Sequence, residues 1–320
     1  MHRTKCAKLI TNVVAKAYHE ELIEELREVK FSLLIDESTD VSVSKLLCLC
    51  VKFYSTKENV VKTEFLALLQ ITSATGENLF KVISEYFAEV NVDLANCVGF
   101  SSDGANNVCG TYNSVLSRLK QTSPGVIFVK CTCHSLALCA EYAFKKLPSN
   151  LEYMLGEVAR WFKCSTLRRD EFEQIFTVMN DEYVQPSKFI TPSTTRWLVK
   201  GKCIFSILTQ WDELTAYFSV INDKDKNYHA RVLCEMFADR RNFLYFTFVL
   251  PIIQDFEKVN AAFQASNVNP GKVFEDLHHL HSSLLMRLYK DGSSDSTILP
   301  LHQVDLGVKF ERELNNWKKN

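Results

Sequence analysis

Acidic residues at the ends of apolar runs are the first chemistry this sequence offers. Phe31-Ser-Leu-Leu-Ile-Asp36 is a short apolar run that stops in Asp36 and Glu37, with Asp40 close behind, and Val98-Gly-Phe-Ser-Ser-Asp103 repeats the pattern. A buried strand that ends in a carboxylate delivers that group to the rim of a sheet. Carboxylates gathered from different strands are what two-metal phosphoryl transfer requires, because each divalent ion must be held by oxygen ligands while it bridges the attacking and leaving oxygens. Asp36 and Asp103 are therefore the candidate catalytic acids and, for an active enzyme, the candidate magnesium ligands. Two aspartates alone rarely complete such a site. Each also reads as a cap or turn residue, Asp103 because it precedes Gly104. Glu37 should alternate to the face opposite Asp36, and Asp40 lies beyond the strand end, so both are weaker candidates.

Other constellations are less specific. Cys131, Cys133 and His134 could be taken for zinc ligands, yet no second ligand pair stands at a suitable distance. His278, His279 and His281 do not share one helical face and fit a solvated helix. Arg196-Trp197 follows Pro192-Ser-Thr-Thr, a helix-start signal; the pair could stack on a flipped base, or the tryptophan could be core beside a surface arginine. Arg160, Lys163, Arg168 and Arg169 could touch phosphate or form a solvated face. Gly-x-Ser-x-Gly, phosphate-loop and dinucleotide fingerprints are absent from the sequence.

Periodicity places these residues on elements. Leu9, Ile10, Val13, Val14, Tyr18, Leu22, Ile23 and Leu26 are spaced as on one face of a helix over residues 6 to 29. Strand-like runs follow at Phe31 to Asp36, Leu46 to Tyr54 and Val60 to Ile71, and their short joins predict an antiparallel meander. A helix opening at Gly76-Glu-Asn78 leads to a strand at Cys97 to Ser102. A helix over Ala105 to Lys120 then leads to a strand at Val126 to Cys131, a parallel crossover. The order βββαβαβα is that of a ribonuclease-H-like mixed sheet, although pattern alone also allows other mixed α/β sheets. From His134 onward only helical signals remain, among them Leu151 to Lys163, Leu167 to Met179, Leu198 to Ile221, Phe243 to Phe263 and Val273 to Tyr289. The expected organisation is an N-terminal helix over 1–30, a ribonuclease-H-like α/β core over 31–147, an all-helical insertion domain over 148–290, and a loose polar tail over 291–320 that begins an incomplete C-terminal part.

The 320 residues, 47% of them hydrophobic, are enough for a large packed core. A formal net charge of −1 gives no bulk attraction to nucleic acid or anionic lipid, so any such surface must be a local basic patch. Eleven scattered cysteines without a signal-like N-terminus suggest a reducing compartment. No apolar run approaches bilayer length, so no membrane partner is expected.

Four stretches in order carry a resemblance: Leu-Ile-Asp36-Glu-Ser-Thr-Asp40, Ser-Ser-Asp103-Gly-Ala-Asn106, Cys131-Thr-Cys-His134-Ser-Leu-Ala-Leu138 and Thr194-Thr-Arg-Trp197. Together they resemble the motifs of the hAT transposase superfamily, and especially its domesticated vertebrate-style members, over roughly residues 30 to 200. The resemblance implies a ribonuclease-H-like core interrupted by a helical insertion, with Asp36 and Asp103 matching the first two acids of a magnesium-binding DDE triad. It also implies that Cys131 and His134 position the active-site region or contact DNA, and that Trp197 with Arg196 serves a flipped base. The third acid, a glutamate, is not found: Glu311 and Glu313 lie in no matching motif. The family's zinc finger is likewise not found, and Glu37-Ser-Thr stands where active members tend to carry a tryptophan. The expectation is a domesticated, catalytically inactive nuclear protein that interacts with DNA, with itself or with other nuclear proteins, without a small-molecule substrate and without a cofactor, magnesium entering only if it is active. The alternatives are a fragment of a magnesium-dependent DDE transposase and a structural dimerisation module without DNA contact.

Overall fold

The computed structural model describes residues 3–39, 45–180, 184–192, 199–224, 227–265 and 269–319. Contacts divide the chain into two compact units, Met1–Cys131 and Thr132–Asn320.

The first unit is built on a five-stranded mixed sheet in the order β3-β2-β1-β4-β5. The strands are β1 (Phe31–Thr39), β2 (Lys45–Ser55), β3 (Val60–Ile71), β4 (Cys97–Ser102) and β5 (Ile127–Lys130). β1 and β2 pair antiparallel, as do β2 and β3, while β4 runs parallel to β1 and to β5. This is the antiparallel start and parallel finish expected of a ribonuclease-H-like domain. Alternation explains it: Phe31, Leu33 and Ile35 of β1 and Leu47, Leu49, Val51 and Phe53 of β2 turn inward, and polar or half-buried residues lie between them. A register shift opposite Leu49 and Cys50 gives β3 one extra residue, so the neighbours Leu66 and Ala67 are both buried.

Helices cover the inward face. α1 (Arg3–Leu9) runs through a π turn (Ile10–Val14) into α2 (Ala15–Glu28), and α3 (Gly76–Glu89) follows the meander. Leu22, Ile23 and Leu26 of α2 and Leu79, Ile83 and Phe87 of α3 enter the sheet core, where Phe87 stacks on Phe31 at 5.6 Å. The helix expected over 6–29 is present, but Leu9, Ile10, Val13, Val14 and Tyr18 remain exposed, because the sheet reaches only its C-terminal turns. The single helix expected over Ala105 to Lys120 is two, α4 (Asn106–Cys109) and α5 (Val115–Thr122). Asn113 takes a left-handed φ of 53°, and Ser114 starts a new helix through a capping box with Ser117.

The second unit is helical: α6 (Thr132–Phe144), α7 (Ser149–Lys163), α8 (Thr166–Met179), α9 (Val199–Leu208), α10 (Trp211–Lys224), α11 (Tyr228–Ala238), α12 (Arg240–Phe263), α13 (Pro270–Leu288) and α14 (Val308–Lys319). The division falls before α6, where a core reaching residue 147 was expected, because Ala140 and Phe144 of α6 pack into the helical core. The segment read as one helix from Leu198 to Ile221 is interrupted between α9 and α10. The tail expected to be loose instead carries α14, held by Phe310 against Phe248 and by an Arg240–Glu313 ion pair of 2.9 Å.

Candidate functional site

The parallel ladder of β1 and β4 ends in the pairs Leu33↔Phe100 and Leu34↔Ser101. Two residues further along each strand stand Asp36 and Asp103, so the topology brings the two sequence-selected acids to one end of the sheet. Glu37 joins them. It follows the inward alternation of Leu33 and Ile35, and both Asp103 and Asp36 act on it electrostatically. Its carboxyl is held above the usual carboxylate range chiefly by loss of hydration, with Asp103 and then Asp36 adding to the rise, while a hydrogen bond from Asn107 and the charge of Lys45 oppose it.

Each acid at this rim has neighbours that define its role. Asn107 Nδ2 donates to Glu37 Oε1 at 2.9 Å and to the Ala74 carbonyl at 2.8 Å, tying β1 to α4 and to the residues before α3. Asp103 Oδ1 accepts from the Ala105 amide at 3.0 Å, the short-range turn that Asp before Gly foretells. Gly104 has a φ of +88°, and a Cβ there would lie 2.3 Å from Cε of Lys130, so the lysine stem crosses the backbone beside Asp103. Gly76 permits a second close approach: a Cβ would meet the carbonyls of Asn113 and Asn107, and its absence lets α3 begin against the α4–α5 turn. Cys48, opposite Asp36 on β2, neighbours Cys50, whose thiol burial pushes up to about 11, so Cys50 is no thiolate nucleophile at neutral pH.

A divalent ion held by carboxylates needs several open oxygens converging on one point. Among the described residues no group of three or more His, Cys, Asp or Glu is arranged to hold a metal. Glu37 and Asp103 each give one oxygen to Asn107 and Ala105, and the charge of Lys45 acts on Glu37. The acids described at this rim, which do not include Asp40, do not by themselves make up a magnesium site. Asp40 lies outside the described residues, as do Arg196 and Trp197.

The remaining sequence-selected residues are placed as follows. Cys131 closes the end of β5, its amide donating to the Ser102 carbonyl at 2.8 Å. Cys133 and His134 open α6; Cys133 Sγ lies 3.9 Å from the Asn260 carbonyl, and His134 is exposed. His278, His279 and His281 are all exposed on α13. The four-residue basic cluster divides. Arg160 pairs with Glu157, and Arg168 lies 3.6 Å over the Trp161 ring, so both are engaged within the fold. Lys163 and Arg169 instead line a recess of about 340 Å³ together with Lys188, and none of the three has an ion pair among the described residues. Sequence reasoning missed Lys188, Asn107 and Lys130. Asn107 directly follows the Ser-Ser-Asp-Gly-Ala-Asn stretch and Lys130 pairs with Ser102 across β4 and β5, but only the fold brings either to the acids.

Residues 1–114 match the family model DUF4371, described as the ZMYM1/FAM200 RNase-like domain. The match spans α1 through α4 with strands β1 to β4, and so contains Asp36, Glu37, Asp103 and Asn107. It agrees with the mixed sheet described above. No helix of the described residues is long and apolar enough to cross a membrane.

Proposed function

We propose that this chain is a domesticated, hAT transposase-like protein whose strand-end acids no longer serve catalysis, and that it acts by binding DNA or protein in the nucleus rather than by cutting DNA. The observation that carries this reading is the Asn107–Glu37 hydrogen bond of 2.9 Å, which ties a strand-end acid to α4. A carboxylate engaged by a neutral amide, and whose charged form burial and two neighbouring acids disfavour, is poorly suited to hold a metal ion. The RNase-like match over residues 1–114 supports the ancestry. Contact with DNA is supported by the recess lined by Lys163, Arg169 and Lys188, where Glu173 is the one acid among the described lining residues. Phosphate is the ligand that such a surface suits.

Two measurements test the reading. Calorimetric titration with magnesium should give no heat that depends on Asp36 or Asp103; saturable binding lost in both Asp36→Ala and Asp103→Ala would instead establish the magnesium-dependent transposase reading. Fluorescence anisotropy with duplex DNA should show affinity falling linearly with the logarithm of salt concentration. Lys163→Ala, Arg169→Ala and Lys188→Ala should each reduce that slope by about one. Salt-independent binding, or none, would leave a protein-interaction module.

A further inference from the structure

A cavity of about 820 Å³ in the first unit lies away from the acidic rim, between α2 and strands β2 and β3. Its apolar surface comes from Phe53, Leu66, Ala67 and Leu69 of the strands, with Leu22 of α2 and Tyr86 of α3 beside them. Glu25 of α2 also lines it. Its side chain is 9% exposed, and its Oε1 is buried without a hydrogen-bond partner. Such an oxygen has given up its hydration with no hydrogen bond in return, which is costly. An orphan carboxylate facing an apolar cavity is therefore a feature that a ligand would complete.

The cations near this carboxylate are committed elsewhere. Lys57 stands 3.8 Å from Glu21, and Lys62 contacts Glu58 at 2.6 Å and Glu64 at 3.8 Å. Lys16 sits on the same helix nine residues before Glu25, roughly 13 Å along the axis at the helical rise, beyond side-chain reach. The neighbouring polar pair, Tyr86 Oη and His19 Nε2 at 3.4 Å, is joined to itself and to the Leu66 carbonyl. Glu25 is the one carboxylate of the cavity wall that is both buried and lacking a partner.

We infer that this cavity binds an organic cation, an ammonium or guanidinium group on an apolar stem, with Glu25 as the counter-ion. The charged head would supply the hydrogen-bond donors that Oε1 lacks, a charge-assisted bond of the stronger kind. The stem would lie on Phe53, Leu66 and Leu69. The volume is within the range of about 300–1,000 Å³ found for small-molecule sites. The rim at Tyr18, Phe65 and Leu68, exposed by 64%, 59% and 52%, extends the apolar surface outward to receive the rest of the ligand. The same chemistry reaches the site as a free amine or as the basic side chain of a peptide.

Calorimetry on the full chain separates these cases. The probes are phenethylammonium, the neutral phenethyl alcohol of the same shape, and the capped tripeptide Ac-Leu-Arg-Leu-NH2. The ammonium should bind at least about tenfold more tightly than the alcohol, since both can donate a hydrogen bond to Glu25 but only the ammonium brings a positive charge to it. Tighter binding of the tripeptide than of the amine would identify a peptide side chain as the natural occupant, and the reverse a free amine. Glu25→Gln keeps the shape and should bring ammonium and alcohol within about twofold. Equal affinity for ammonium and alcohol, a preference that survives Glu25→Gln, or no saturable binding of any probe would overturn the inference.

Discussion

The two units solve the problem of burial differently. The sheet unit fills its core mainly with aliphatic side chains, Leu33, Leu47, Leu49, Val51, Leu79 and Ile83, because alternating strand residues stand close to the helices that cover them. The helical unit relies on aromatics: Trp161, Phe162, Phe172, Tyr217, Phe218, Trp211 and Phe237 form a continuous set of ring contacts 4.8–6.2 Å between centroids. Helices cross at larger separations than strands pair, and wide rings fill the gaps. Polar chemistry divides the same way. The sheet collects carboxylates at its strand ends, whereas the helical unit presents cations on a recess that have no ion pair among the described residues. A sheet edge concentrates whatever residue ends its strands; a helix surface spreads charge around its circumference.

The sharpest test of the contrast is the aromatic core. Trp161 is 3% exposed, and its indole N–H donates to the Tyr217 hydroxyl at 3.1 Å. Trp161→Ala should cost about 3–5 kcal/mol in denaturant unfolding; a loss below about 1 kcal/mol would mean that the rings are not the framework of that unit. Next comes the polar contact within it. Tyr217→Phe keeps the ring and leaves the indole donor buried without its acceptor, for an expected cost of about 1–3 kcal/mol in the same experiment.

In the sheet unit the corresponding local device is the cap that restarts the helix after β4. Ser114 accepts from the Ser117 amide at 3.0 Å and donates to the Gly110 carbonyl at 2.6 Å, and its own amide is capped by Ser117. Ser114→Ala should cost about 1 kcal/mol, and hydrogen exchange should quicken in α5 before it does in the strands.

The smallest effect is expected at the acidic rim. Because the Glu37 carboxyl is raised in the folded state from a reference of 4.5, the native protein binds the proton more tightly than the unfolded chain does. Its unfavourable contribution is absent below about pH 4.5 and is fully expressed once pH exceeds the raised value. Glu37→Gln can still accept from Asn107. It should therefore raise stability at neutral pH by less than about 1 kcal/mol, since the group is solvent-accessible, with the gain vanishing in acid. A variant destabilised at pH 7 would show that the negative charge itself is needed there, as a metal site would require.

Much of this architecture was legible before any coordinates. Strand alternation placed β1 to β5 and the parallel crossover, and it put Asp36 and Asp103 at strand ends because the apolar run of each strand stops there. The helices of the second unit showed themselves by their apolar spacing. α14 escaped notice because Phe310, Leu314 and Trp317 are sparse among charges, and its anchors Phe248 and Arg240 lie far away in sequence. The break between α4 and α5 was missed because Ser114 reads as an ordinary helical residue until its cap is seen.

What the sequence alone determined is which residues form the elements and which acids end the strands, for these follow from local spacing and backbone sterics. Tertiary structure decided what those acids touch. Glu37 meets Asn107 across a separation of 70 residues, Lys130 crosses Gly104, and Glu25 is left facing a cavity with one oxygen unpaired. Contacts of that kind are set by how elements pack, and no local pattern encodes them. Whether a carboxylate is a ligand, a brace or a counter-ion depends on them.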